Sequence, residues 1–440
     1  MGRNGRLKAS GKVVGKENDG WPGWKGPGFV KKQEPKPAPK SKSKIAKSSQ
    51  ETPDEKEDSA PESLIPIELQ QVLLNVFRDS FPEVLASETL QPLLQDVKAA
   101  LYERDFARAF GKSEYLEAYS IRWSPSRALC YLSILIDLRE HFTEINQPCT
   151  KNQPPNGTGA FITTGPDAAL QHQSLDPASQ PADVLEPGLR ATCFGGGAAE
   201  IIALGGFCRY MRNASHAMKT GVQNPTDVET SMMTSLSLSE NLPKINLLLL
   251  DEAQWQDVVH KLHSGLTTPP PMSKYASSAA KAANSSLIAD GDIAATFRAE
   301  DVLAATQSQL NDVLGTGPML LTLLFTLNEL YTTSIAKTTA FLLKLTMAAK
   351  SGTLLLVVDS PGSYSETTIG TEAKKYPMLW LMDHTLLEAQ NGGKGDVKKT
   401  PASWEKVISE ESKWFRMPDE LRYPIPLENM RYQMHLYRRV

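Results

Sequence analysis

Short stretches of this 440-residue chain carry side chains whose types and spacing suit chemistry. Three glycines, Gly195, Gly196 and Gly197, end an apolar run and are followed by Ala199 and Glu200 in "CFGGGAAEIIAL". Asp251 closes "INLLLLD", and Glu300 and Asp301 close "TFRAED". Asn328, Glu329 and Tyr331 follow the apolar run in "MLLTLLFTLNELY". Without Cβ atoms a backbone can approach a ligand closely, and acids placed after successive apolar runs can accept hydrogen bonds from hydroxyl and amino groups. The pattern describes a small-molecule site built on strand ends.

Three ligands compete for the glycine turn. A triphosphate loop needs GxxxxGK[ST], and no Lys follows these glycines. A dinucleotide fingerprint needs GxGxxG, and Glu200 stands where its third glycine would be. A carboxylate there opposes a pyrophosphate at the helix N-terminus, which disfavours NAD and an oxidoreductase. S-adenosylmethionine has no phosphate, carries a cationic sulfonium and accepts a looser GxGxG-like turn, which Gly195, Gly197 and Ala199 match. Asp251 is then placed for the ribose hydroxyls, and Glu300 or Asp301 for the adenine. The four cysteines show no CxxC pair and the seven histidines do not cluster near a strand end, so no metal is expected.

The elements that must position these residues alternate. Strand "RATCF" leads through the glycines into "AAEIIALGGFCRYM", "INLLLL" into "EAQWQDVVHKL", and "IAATFRAED" precedes "MLLTLLFTLNELY". A long helix, "TSIAKTTAFLLKLTMAAK", feeds the strand "TLLLVVDS". Apolar strands separated by helices predict a mostly parallel α/β sheet buried on both faces. The segment "MRYQMHLYRRV" alternates apolar and polar residues, as an edge or antiparallel strand would. Residues 64–142 carry three helical patterns, with Ser124 expected as an N-cap before Pro125. The expected organisation is a disordered basic tail over 1–63, a helical extension over 64–142, a low-complexity linker over 143–188 and an α/β domain over 189–440. That domain is expected to carry disordered insertions near 213–243 and 264–291.

Charge and hydropathy limit the partners. Residues 1–50 hold 13 Lys and Arg against 3 Asp and Glu, a local excess of +10 that suits loose phosphate contact or nuclear import. The densest apolar stretch, "MLLTLLFTL", is half the length needed to span a bilayer, so no membrane is expected.

The resemblance these stretches carry is specific. "RWSPSRALCYLSI", "CFGGGAAEIIAL", "LLLLDEAQW", "TFRAEDVL", "LLTLLFTLNELY", "LLVVDSPGSYSE" and "KWFRMP…YPIPLENMRYQMHLYRR" resemble the fungal family of 25S ribosomal RNA uridine-N3-methyltransferases. The likeness covers roughly residues 64–142 and 189–440. It implies a Rossmann-like class I methyltransferase with a helical N-terminal extension, using S-adenosylmethionine on a uridine of large-subunit rRNA. Many class I enzymes carry an acid two residues before the first glycine; here that place is Cys193.

The chemistry so implied assigns roles. Uridine N3 bears a proton that must leave before its lone pair can attack, so a base or donors to the flanking carbonyls would help. Asn328 is the candidate donor to a uracil carbonyl, Glu329 the candidate acceptor of the N3 proton, and Tyr331 a candidate base-stacking ring. Arg127 is the candidate RNA contact in the helical extension. The expected protein is a monomer acting on large-subunit rRNA or a pre-ribosomal particle in the nucleus or nucleolus, with the cytoplasm as a further place. Two alternatives stand beside it: an inactive methyltransferase-like rRNA-binding assembly factor, or a methyltransferase of proteins or small molecules.

Overall fold

The structure, a computed structural model, describes residues 65–145, 188–220, 244–362, 364–369, 372–388 and 403–440. The basic tail, most of the linker and residues 221–243 of the first insertion lie outside the described residues.

Five strands run parallel: β1 (Gly188–Phe194), β2 (Lys244–Asp251), β3 (Ile293–Ala299), β4 (Leu320–Leu324) and β5 (Leu354–Asp359). A separate ribbon of β6 (Tyr364–Ile369) and β7 (Glu372–Pro377) follows β5. The main sheet is completed by β8 (Trp404–Phe415) and β9 (Met430–Arg439), in the order β3-β2-β1-β4-β5-β9-β8. β4 and β5 are buried at every position, as apolar strands covered on both faces should be.

The last strand is antiparallel, as expected, but it is not at the edge. β9 lies between β5 and β8, antiparallel to both. Its polar positions are therefore buried rather than solvated. Gln433 donates to the Ser360 carbonyl at 2.8 Å, and His435 exchanges a 2.9 Å hydrogen bond with the Ser409 hydroxyl, so both residues enter the sheet with partners.

Among the described residues seven helices precede the sheet: α1 (Ile67–Ser80), α2 (Pro82–Ala86), α3 (Leu90–Glu103), α4 (Phe106–Phe110), α5 (Ser113–Arg122), α6 (Ser124–Asp137) and α7 (Arg139–Ile145). Ser124 is the first residue of α6 rather than a side-chain cap. Trp123 holds the cap position, and Pro125, which has no N–H, sits just inside the helix. The crossover helices are α8 (Ala198–Thr220) and α9 (Gln256–Thr267) on the same face. Gly206 of α8 lets α6 and α1 approach closely: a Cβ there would meet Leu132 at 2.9 Å and Leu73 at 2.7 Å. One apolar core runs from Leu73 and Phe77 through Leu129 and Leu132 to Ile201 and Leu249. Removing a side chain such as Leu132 from this layer should cost about 2–5 kcal/mol. The extension is thus one wall of the sheet domain.

α10 (Ser278–Ala283) lies in the connection from α9 to β3, and the opposite face carries α11 (Gln307–Leu314), α12 (Leu327–Thr333), α13 (Ile335–Ala348) and α14 (Met378–Asp383). Its core joins Phe341, Leu345, Val357, Trp404 and Tyr437.

The stretches expected as insertions are partly structured. Residues 213–220 continue α8. In 264–291, Ser277 caps α10, and the N–H groups of Leu287 and Ile288 donate to the Leu266 carbonyl. Ile288 is 1% exposed, an anchor that composition alone conceals. Among the described residues no helix is long and apolar enough to cross a membrane.

Candidate cofactor cleft and active site

The sheet register decides which residues meet. Phe194 is level with Leu250 on one side and Leu323 on the other, and Leu324 is level with Val358. Gly195, Asp251, Phe325 and Asp359 therefore lie along one carboxyl edge. The chain order reverses at β1, with β2 and β3 to one side and β4 and β5 to the other. A crevice opens there, at the position where open α/β sheets bind ligands.

The floor of the crevice is the glycine turn. Gly195 takes φ +71°, its N–H donates to the Leu250 carbonyl at 2.7 Å, and a Cβ there would lie on the Thr326 side chain. Only glycine meets both demands. Gly197 faces Trp255, whose ring a Cβ would meet at 3.0 Å. Glu200, three residues on, accepts the Gly197 N–H at 2.8 Å and so caps α8. That carboxylate occupies the helix N-terminus where a pyrophosphate would need free donors.

The roof comes from the extension. Phe110, Tyr119 and Arg127 line the same cleft as Gly195, Glu200 and Asp251, around a narrow cavity of about 60 Å³. The rings of Phe110, Tyr119 and Trp255 have centroids 5.1–5.9 Å apart. The Arg127 guanidinium donates to the Tyr119 hydroxyl and lies 4.9 Å from the centre of the Phe325 ring. Phe325 holds φ +58°, a backbone conformation uncommon for a bulky residue, with its N–H bonded to the Val358 carbonyl at 2.7 Å.

Burial dominates the electrostatics of the acids. It raises the Glu200 carboxyl to about 7 against the opposing Gly197 N–H and Arg127 charge. It raises Asp251 to about 6 against the Ala253 N–H, which donates to Asp251 at 2.7 Å. It raises Glu329 to about 8; Arg127 opposes this shift, while Asp359 and Asp251 add to it. Asp359, 2% exposed, is raised to about 6 while accepting the N–H groups of Asn328 and Ser360.

The structure brings Gly195, Gly197, Ala199, Asp251, Glu329 and Arg127 together on the cleft wall. It leaves other expected site residues outside. Gly196 turns toward the sheet, where a Cβ would meet Cys193 and Leu249. The Glu300 N–H donates to the Asp251 carbonyl, and the Asp301 side chain accepts the Leu303 N–H, so both acids belong to the turn after β3. Asn328 offers its N–H to Asp359, while its Oδ1 is buried without a hydrogen bond among the described residues. Tyr331 is 2% exposed in the core, because it follows buried Leu327 by one helical turn. Arg127 points into the cleft rather than presenting a solvated rim.

Several cleft residues escaped sequence reasoning. Phe110, Tyr119 and Trp255 come from segments distant in sequence and meet only through packing. Glu200 had a readable signal, an acid three residues past a helix start, which serves as half of a capping box.

These residues fit S-adenosylmethionine. The floor approaches closely at Gly195, three carboxyls (Glu200, Asp251 and Glu329) line the cleft, and among the described residues no lysine stands in the lining. Among the described residues no group of three His, Cys, Asp or Glu gathers to hold a metal.

Strand order, reversal at β1 and a phosphate-free glycine turn define a Rossmann-like class I methyltransferase fold. Residues 77–438 match the sequence model of a family described as "Putative SAM-dependent methyltransferase", and the chain belongs to that family. It is 31% identical over 378 residues to the 25S rRNA (uridine(2843)-N(3))-methyltransferase of Saccharomyces cerevisiae, covering 83% of this chain and 85% of the relative. Solved structures matched include a SAM-dependent methyltransferase from Methanosarcina mazei, with 7% identity, TM-score 0.28 and coverage of 58% and 94% of the two chains. Another, from Clostridium acetobutylicum, shows 6% identity, TM-score 0.24 and coverage of 57% and 83%. Neither of these two loose likenesses bears on the assignment.

Proposed function

We propose that this chain methylates N3 of an unpaired uridine in large-subunit rRNA. The observation that carries the reading is the meeting of Glu329, raised by burial to about 8, with the glycine turn and Asp251 in one cleft. The relative's substrate supplies the identity of the base.

Bound in the cleft, S-adenosylmethionine supplies an electrophilic methyl group on a cationic sulfonium. Gly195 and Gly197 give the backbone its close approach, and Asp251 accepts hydrogen bonds from the ribose hydroxyls. Phe110, Tyr119 and Trp255 close the roof and keep water out. Glu329 would accept the N3 proton, freeing the N3 lone pair for the methyl group, whose bond to sulfur would break to leave neutral S-adenosylhomocysteine. An ordinary Glu is a weak base for this task, whereas a carboxylate raised toward 8 is better matched. A cation in the cleft favours the charged form of Glu329 and so readies it to accept.

The excess of Lys and Arg in residues 1–50 and an rRNA substrate support a reading in which the protein works on pre-ribosomal particles in the nucleus or nucleolus. Nucleoside mass spectrometry of large-subunit rRNA from cells lacking the protein tests the reading. One N3-methyluridine should disappear and return when the chain is restored; an unchanged level sinks the substrate assignment.

A further inference from the structure

The place that holds an acid in many class I methyltransferases is filled by Cys193, which is 1% exposed and whose thiol is pushed up to about 12 by burial. Something else must receive the ammonium group of the cofactor's amino-acid end. The cleft offers a cation on one wall and, on another, a carboxyl that the reading above leaves without a ligand. Arg127 comes from α6 and Glu200 from the first turn of α8, and both line the cleft.

Among the described residues Arg127 is the one cation in that lining, which it shares with Glu200, Asp251 and Glu329. Among the described residues its guanidinium donates to the Tyr119 hydroxyl and lies over the faces of the Tyr119 and Phe325 rings. A guanidinium has five N–H donors in a fork that matches a carboxylate. Glu200 uses one oxygen on the Gly197 N–H and stands at the helix start. A zwitterion enters a desolvated cleft at high cost unless each of its charges finds an opposite one.

We propose that Arg127 and Glu200 clamp the zwitterionic end of S-adenosylmethionine, Arg127 taking its carboxylate and Glu200 its ammonium group. This rests on the cofactor reading above. It moves Arg127 from an RNA contact to a cofactor contact, and it explains how the fold dispenses with an acid at position 193.

Isothermal titration of the full chain with three probes tests the clamp. S-adenosylmethionine carries both charges, decarboxylated S-adenosylmethionine lacks the carboxylate, and 5′-methylthioadenosine lacks the whole amino-acid end. Arg127→Gln should weaken S-adenosylmethionine by about 10- to 150-fold and leave the other two probes unchanged. Glu200→Gln keeps an acceptor for Gly197, and it should weaken S-adenosylmethionine and its decarboxylated form while sparing 5′-methylthioadenosine. Equal losses for all three probes would mean that the residues merely shape the pocket, and the clamp would fall. Unchanged affinity for S-adenosylmethionine in both variants would overturn it as well. If the unsubstituted protein binds none of the probes, the cofactor reading itself fails, and the clamp with it.

Discussion

The backbone N–H of Asn328 donates to the Asp359 carboxylate at 3.0 Å, which ties the turn after β4 to the end of β5. The same carboxylate accepts the Ser360 N–H at 2.7 Å, so one buried acid fixes two loops beside the cleft. Asp359→Ala strands both donors and should cost about 1–3 kcal/mol of stability for each left unsatisfied. Asp359→Asn keeps one acceptor and should cost less. Urea unfolding of the two variants measures the difference, and equal losses would show that the single amide oxygen of Asn cannot stand in for the carboxylate at either donor.

Glu329 tests the chemistry. Glu329→Gln keeps the shape and removes the base, so turnover should fall by about 10²–10⁴-fold while cofactor and RNA still bind. Raising the pH should recover part of the loss, because solvent then takes the N3 proton. Single-turnover rates across pH decide it; near-full activity at neutral pH would make Glu329 a structural acid at the start of α12.

The same residue sets a stability trend. A carboxyl raised to about 8 in the folded protein binds its proton more tightly than in the unfolded chain. Stability from this group is therefore greatest at acid pH and declines as pH rises through the window from the unfolded value to about 8. Glu329→Gln removes the proton site, so the ligand-free variant should melt higher than the parent at pH 9 and little differently at pH 5. Thermal melts at the two pH values check this, and the opposite ordering would contradict the burial argument.

Asp251 reports on the ribose. Asp251→Ala should weaken cofactor binding by about 10- to 150-fold, the worth of one charge-assisted acceptor. Asp251→Asn keeps an acceptor for the Ala253 N–H and separates the turn's needs from the ligand's. If calorimetry finds no loss in either variant, the hydroxyls are held elsewhere.

Gly195 is constrained by its neighbour as well as by its backbone. Gly195→Ala must hold φ +71° and place its Cβ on Thr326. The left-handed backbone alone should cost about 1–2 kcal/mol. Adding Thr326→Gly removes the clash, so a double-mutant cycle should show favourable coupling between the two changes. Simple additivity would mean that crowding plays no part.

The parallel core was legible in the sequence because β1, β2, β4 and β5 are nearly unbroken apolar runs. Asp251 and the glycine turn were legible for the same reason, since each ends such a run. β8 was not: its middle reads Ser-Glu-Glu-Ser-Lys and is exposed on both faces, which leaves no alternation to see. That hidden neighbour is also why β9 reads as an edge yet lies inside. Tyr331 looked like a site residue by its nearness to Glu329 in sequence. The helical turn from Leu327 carries it into the core instead. The roof was illegible in principle, because Phe110, Tyr119, Arg127 and Trp255 become neighbours only when α4, α5 and α6 close over the sheet.

The position of β9 bears on how the protein is born. A ribosome releases α1 to α7 first and residues 430–439 only after every other strand. α6 packs on β9, and β9 separates β5 from β8. Until that strand emerges, α6 lacks one of the strands it packs on and β8 has no neighbour through which to join the sheet. The nascent chain thus spends most of its synthesis with apolar helix faces open, the condition that recruits chaperones and invites aggregation. A chain stalled before position 430 would hold the glycine turn and the roof residues with β5 left as an open edge, ready to pair with another chain.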